Sequence, residues 1–170
     1  MLRDASDLLP EPFRSRQVAQ IGVIVPDLPA AVRTWSALLG LDDWLIYTYG
    51  PGYMPELTYR AQPGLFSMRL AIAGDAPQIE LIQPLTGPSI YHEWVLRHGY
   101  GMHHLGFRVP SIAEAIDLMT AHGVNVLQTG KGYGAAGDGG FAYFDTEPIV
   151  GVICEAFEVP AVRRPSEQLV

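Results

Sequence analysis

Gln20-Ile-Gly-Val-Ile-Val-Pro-Asp-Leu-Pro-Ala-Ala returns, at an offset of 84, as His104-Leu-Gly-Phe-Arg-Val-Pro-Ser-Ile-Ala-Glu-Ala. Gly22 falls on Gly106, Val25 on Val109, Pro26 on Pro110 and Ala31 on Ala115 without a gap. A repeat of this kind means that each copy is one supersecondary unit, so equivalent positions share a structural role. Both copies open with a β-rich run, residues 17–25 and 102–109, halted by a proline that cannot donate to a continuing ladder. A helix is expected behind each. In the first, Leu28, Ala31, Val32, Trp35, Leu38 and Leu39 recur at helical spacing after Asp27 as N-cap, and Gly40 ends the run. In the second, Ile112, Ala115, Ile116 and Met119 form the stripe, Ser111 with Glu114 makes a capping box, and Gly123 stops it.

Working outward, three strand-like stretches follow each helix: 44–49, 65–73 and 78–83, then 125–129, 141–145 and 150–158. The pattern is βαβββ, twice. The fold expected is α+β, with two βαβββ modules forming a curved, mostly antiparallel sheet and the helices outside. The division is an N-terminal arm 1–16, a first module 17–86, a linker 87–101 with a short helix around Ile90, Trp94 and Val95, a second module 102–160, and a C-terminal tail 161–170 that is an arm or frayed end.

Composition narrows the partners. The chain of 170 residues is 48% hydrophobic, enough for a real core, and carries a net charge of −7 with no basic block. That disfavours nucleic acid and anionic membranes and leaves a small-molecule substrate. The acid-containing N-terminus is read as neither a secretory signal nor a membrane span, and the single cysteine, Cys154, serves as apolar filling. A cytosolic protein is expected, and a homodimer, since half-barrels leave edges to cover.

Strand parity selects the residues that could carry chemistry, because only alternate side chains face one side. Gln20 and His104 are equivalent by the repeat, as are Glu80 and Glu155 on the last strand of each module. Both acids stand inside apolar runs, Ile-Glu-Leu-Ile and Cys-Glu-Ala-Phe. Alternation allows them to face solvent; a carboxylate facing inward must be paired or hold a metal. The coincidence of all four at symmetric positions raises all four as candidates for chemistry. His103, one residue from His104, is expected to point away. Arg108 shares parity with His104 but as a strand arginine belongs to the outer face; His92, His98 and His122 read as surface or packing residues. Residues 130–140, Gly-Lys-Gly-Tyr-Gly-Ala-Ala-Gly-Asp-Gly-Gly, lack the spacing and following helix of a phosphate loop and are read as a mobile flap, with Lys131 solvated. Glu56, among the turn formers of 50–63, reads as an exposed loop acid.

Gln20-Ile-Gly-Val-Ile-Val-Pro-Asp-Leu, Ile79-Glu-Leu-Ile-Gln-Pro-Leu and Gly101-Met-His-His-Leu-Gly-Phe-Arg-Val resemble the vicinal oxygen chelate superfamily over residues 17–159. The run from Glu80 through Tyr91-His-Glu-Trp to Gly101-Met-His-His is similar to methylmalonyl-CoA epimerases. The resemblance implies one divalent metal ion on Gln20, Glu80, His104 and Glu155, with His104 rather than His103 because it leads into Leu-Gly-Phe. The epimerases usually have histidine where this chain has Gln20; a Gln/Glu/His/Glu set looks like glyoxalase I. Both imply movement of a proton through a metal-stabilised enediolate, with Glu155 and then Glu80 as the catalytic carboxylates, and an acyl-CoA or a hemithioacetal as substrate. Three oxygen ligands and one imidazole suit Zn, Co, Ni or Mn. A ring-cleaving dioxygenase would be expected to use two histidines and one carboxylate, and a metal-free binding protein would need no ligand set.

Overall fold

The computed structural model describes residue 13 and residues 17–75 and 77–168. The first module contributes β1 (Gln20–Ile24), α1 (Leu28–Leu39), β2 (Leu45–Tyr49), a hairpin of β3 (Glu56–Tyr59) and β4 (Gln62–Pro63), then β5 (Ser67–Ala73) and β6 (Gln78–Thr86). After α2 (Ile90–His98), the second contributes β7 (Gly101–Arg108), α3 (Ile112–Ala121), β8 (Val126–Tyr133), β9 (Gly139–Phe144), a single turn α4 (Glu147–Val150) and β10 (Ile153–Glu158). The last described strand is β11 (Glu167–Gln168). No described helix is long and apolar enough to cross a membrane.

Local chemistry explains the repeated helices. Asp27 Oδ1 accepts from the Ala30 N–H at 2.9 Å, and Ser111 Oγ accepts from the Glu114 N–H at 3.2 Å, each satisfying a donor that a helix start leaves open. Gly40 caps α1 at φ 70°.

All strands join one curved sheet in the order β11-β2-β5-β6-β1-β7-β10-β9-β8-β3-β4. The modules meet where β1 pairs antiparallel with β7, and within each module the first and last strands run parallel, β1 with β6 and β7 with β10. Every other pairing is antiparallel. Helices α1 and α3 cover the outer face. On the convex face, Leu28 and Val32 of α1 pack over Val23, Ala71 and Leu81, while Ile112, Ala115 and Met119 of α3 pack over Phe107, Ala142 and Ala156. The concave face has its own apolar cluster, including Ile24, Leu70, Ile82, Phe141 and Phe157, which receives Ile90, Tyr91 and Trp94 from α2. Cys154 packs in the α3 cluster.

Three segments differ from their sequence reading. The turn-rich stretch 50–63 is not a simple exposed loop: β3 crosses to pair with β8 of the other module, and Met54 and Leu57 enter the concave core. The expected flap at 130–140 is the β8–β9 hairpin, with Gly130 to Tyr133 and Gly139–Gly140 in strands; a Cβ at Gly139 would stand 2.4 Å from the Tyr133 ring, so these glycines make room for aromatic rings. The tail is no frayed end where it is described, because β11 pairs with β2 and the Ser166 N–H donates to the Ile46 carbonyl at 2.8 Å. Phe13, within the N-terminal arm, packs edge-on against Phe107 and Phe144.

Candidate metal centre

Four strands meeting around the β1–β7 seam set the inward residues. Gln20 stands opposite Gly106 and His104 opposite Gly22, while Gly22 and Gly106 lie beside Glu80 and Glu155 respectively. The repeat glycines thereby acquire a purpose. A Cβ on Gly22 would stand 1.9 Å from His104 Cε1, and one on Gly106 would stand 2.9 Å from Gln20 Cβ, so each glycine is the floor on which the other module's polar side chain lies. Gly22→Ala should therefore eject His104 from its seat at a cost of about 1–3 kcal/mol of overpacking. The check is a metal-binding isotherm beside a thermal melt, with weaker binding expected at a melting temperature that still reports a folded protein.

Gln20, Glu80, His104 and Glu155 are all buried, so the solvent-facing reading of the two acids does not hold. His104 Nε2 faces Glu155 Oε2 at 3.1 Å and Glu80 Oε2 at 3.3 Å. Neither contact has hydrogen-bond geometry, and all three atoms are left without a hydrogen-bond partner. Buried polar groups are normally satisfied. Three that converge within 4.8 Å of one another and remain unsatisfied are what a divalent cation would complete. Gln20 lines the same cavity; its Nε2 donates to Gln78 Oε1 at 2.9 Å, which leaves Oε1 as the atom its amide could offer an ion. All four residues come from one chain.

His103 corrects its expected orientation. The β1–β7 register shifts between Gly22 and Val23, where Gly22 faces His104 and Val23 faces Met102, so His103 is the extra residue of a β-bulge. A bulge breaks the strict alternation of a strand. His103 is fully buried with its Nδ1 2.9 Å from His104 Nδ1, and Tyr91, Trp94 and Tyr143 surround its ring. Burial, and next the charge of His104, holds its imidazole well below the ordinary range, hence neutral. With His104 protonated on both nitrogens, or with an ion on its Nε2, its Nδ1–H would donate to the His103 Nδ1 lone pair.

The other candidates stay away from the centre. Arg108 and Glu56 are exposed, Glu56 opposite Lys131 in the β3–β8 ladder. His98 pairs with Glu147 and stacks on Trp94, His92 meets Ser89, and His122 ends α3.

Around the carboxylates the wall is phenolic, with Tyr47, Tyr49, Tyr91, Tyr133 and Tyr143 lining a narrow cavity of about 40 Å³. Burial first, and then the nearby carboxylates, keep the phenols of Tyr91, Tyr133 and Tyr143 protonated. Burial would depress His104, but Glu155 and then Glu80 outweigh it and raise its pKa to about 9. Burial also raises the Glu155 carboxyl, against the pull of His104. Without metal, His104 thus keeps its proton in the fold at pH values where an unfolded histidine, titrating near 6.5, has lost it. The stabilisation from His104 is complete below about pH 6.5 and is lost as pH rises through about 9. Denaturant unfolding of metal-free protein should lose on the order of a few kcal/mol across that window, and His104→Gln should flatten the slope.

A family model described as the glyoxalase/bleomycin resistance protein/dioxygenase superfamily matches residues 19–144. Solved structures with this architecture include a methylmalonyl-CoA epimerase in complex with methylmalonyl-CoA and NH4+, with TM-score 0.62 and 21% identity, covering 88% of this chain and 99% of that one. A Streptomyces coelicolor methylmalonyl-CoA epimerase bound to 2-nitronate-propionyl-CoA gives 0.61 and 23% over 88% and 99%. The Mycobacterium tuberculosis methylmalonyl-CoA epimerase gives 0.60 and 22% over 85% and 88%. No curated protein sequence matches. At such identities the likeness is one of fold.

Proposed function

Since the chain belongs to the glyoxalase/bleomycin resistance protein/dioxygenase superfamily, we propose that it is a metal-dependent isomerase that moves a proton at a carbon α to a carbonyl or thioester, in the manner of a methylmalonyl-CoA epimerase. The observation that carries this reading is the buried, hydrogen-bond-starved convergence of Glu80, His104 and Glu155 on the floor of the cavity. Gln20, Glu80, His104 and Glu155 would hold one divalent cation, Zn, Co, Ni or Mn. Once bound, such an ion polarises a substrate oxygen and so acidifies the adjacent C–H.

The protein's own part is proton transfer and exclusion of water. Glu155 takes the α-proton, Glu80 serves mainly as a ligand and as the less favoured acid–base partner, and the phenolic wall with Leu70, Phe141 and Phe157 keeps bulk water from the carbanionic carbon. Burial raises the Glu155 carboxyl in the metal-free protein, whereas a cation would favour its ionised form, so Glu155 would serve as the base once released from the ion. A homodimer and a cytosolic setting complete the reading. A second reading, lyase action on a hemithioacetal, is favoured by one feature, the amide of Gln20 in the ligand set. The test is elemental analysis followed by solvent-deuterium exchange against methylmalonyl-CoA and a glutathione hemithioacetal. Stoichiometric metal with exchange into the acyl-CoA supports the leading reading; exchange only into the hemithioacetal selects the second; a protein that neither carries nor takes up metal ends both.

A further inference from the structure

The C-terminal strap, residues 161–168, lies outside the matched family region and runs from the β8–β9 turn of the second module to β2 of the first. It is tied at both ends. On the second module, the Ala161 N–H donates to Asp138 Oδ2 at 2.9 Å and the Ala135 N–H donates to the Val162 carbonyl at 3.0 Å, both at the β8–β9 turn. On the first module, Ser166 Oγ accepts from the Thr48 N–H at 2.9 Å and β11 pairs with β2. Between these anchors stand two consecutive arginines, and backbone alternation sends them to different places.

Arg163 lines the inner cavity together with Gln20, Glu80 and Glu155, and it is the only cation there among the described residues. No ion pair or hydrogen bond to another described residue engages its guanidinium. Arg164 lines a second cavity of about 420 Å³, which shares Tyr49 and Tyr133 with the first and runs outward past Tyr53 and Gly134. A narrow inner chamber leading to a roomier outer one fits a small reacting head on a larger tail. The charges bear on which head. Even with a divalent cation offsetting Glu80 and Glu155, a substrate carboxylate brought into the cavity of a protein of net charge −7 needs a partner of its own, and Arg163 is the described side chain placed to supply it. A neutral acyl group would need no such partner. Guanidinium is the side chain suited to the planar, two-oxygen geometry of a carboxylate.

We propose that the strap is the specificity element of the site, with Arg163 receiving a carboxylate on the acyl head of the substrate and Arg164 meeting the anionic tail in the outer cavity. The substrate class is then an acidic acyl thioester rather than a neutral one. This inference rests on the acyl-thioester form of the reading above.

The experiment is calorimetric titration of the metal-loaded full chain with methylmalonyl-CoA, propionyl-CoA and malonate, for wild type, Arg163→Gln, Arg163→Lys and Arg164→Gln. Wild type should prefer the carboxylated thioester. Arg163→Gln should weaken methylmalonyl-CoA and malonate about 10- to 100-fold, the scale of a lost charge-assisted contact, while propionyl-CoA stays within about twofold. Arg163→Lys should recover part of the loss, and Arg164→Gln should weaken both thioesters alike while sparing malonate. Unchanged melting curves exclude a folding defect. Equal weakening of acidic and neutral thioesters by Arg163→Gln, or malonate binding that ignores this substitution, overturns the proposal. A wild type that binds malonate through Arg163 yet neither thioester removes the thioester reading and leaves Arg163 as a carboxylate-binding residue; a wild type that binds none of the three ligands overturns the strap proposal itself.

Discussion

Glu155→Gln is expected to retain its metal while exchange of the substrate α-proton falls by about 10²–10⁴-fold, the usual worth of a positioned general base. The amide keeps an oxygen of similar reach on β10 but has no lone pair basic enough to take a proton. Glu80→Gln should cost less, because the role proposed for Glu80 is chiefly that of a ligand. The difference cannot come from depth alone, since the two carboxylates are 3% and 8% exposed and face the same imidazole nitrogen. Both carboxylates line the tyrosine-walled cavity; Glu155 is assigned the proton transfer because it lies nearer Tyr143, which packs on the His104 ring, and because burial raises its carboxyl in the metal-free protein. Deuterium exchange is the measurement. If Glu80→Gln abolishes exchange and Glu155→Gln spares it, the two roles are exchanged; if neither variant loses it, the base is another group.

His104→Ala should all but abolish metal binding, because it removes the one nitrogen from the proposed donor set and leaves the buried Glu80 and Glu155 carboxylates repelling each other. The neighbouring substitution is the more informative. Since His103 Nδ1 meets His104 Nδ1 at 2.9 Å, His103→Ala should lower metal affinity about 10- to 100-fold, the range seen when a partner that orients a metal-bound histidine is lost. His103→Asn, whose Oδ1 can stand close to the lost Nδ1 and accept the same proton, should restore most of it. Competition titration against a chelator reads all three variants. Equal affinity for His103→Ala and wild type would mean that His103 only fills space among Tyr91, Trp94 and Tyr143.

Much of this was legible in the sequence because the determinants are local or repeated. Caps at Asp27 and Ser111, stops at Gly40 and Gly123, and the proline-ended strands are short-range signals, and the offset of 84 made Gln20 and His104 equivalent before any contact was known. Period-two alternation also put Glu80 and Glu155 among apolar neighbours, though it could not say which face was wet. What only the tertiary structure decided are the features that depend on residues far apart in the chain. The β3–β8 pairing joins Glu56 to Lys131, and its turn residues read locally as a loop because their partner strand lies in the other module. The bulge at His103 exists only against the register of β1, so parity along β7 alone pointed its ring the wrong way. The strap brings Arg163 to the cavity through anchors on both modules, with no local signal in its sequence. Secondary structure and symmetry follow from interactions within a few residues or from the repeat, whereas the register of non-neighbouring strands is settled by the packing of the closed sheet, and that register placed His103 beneath His104.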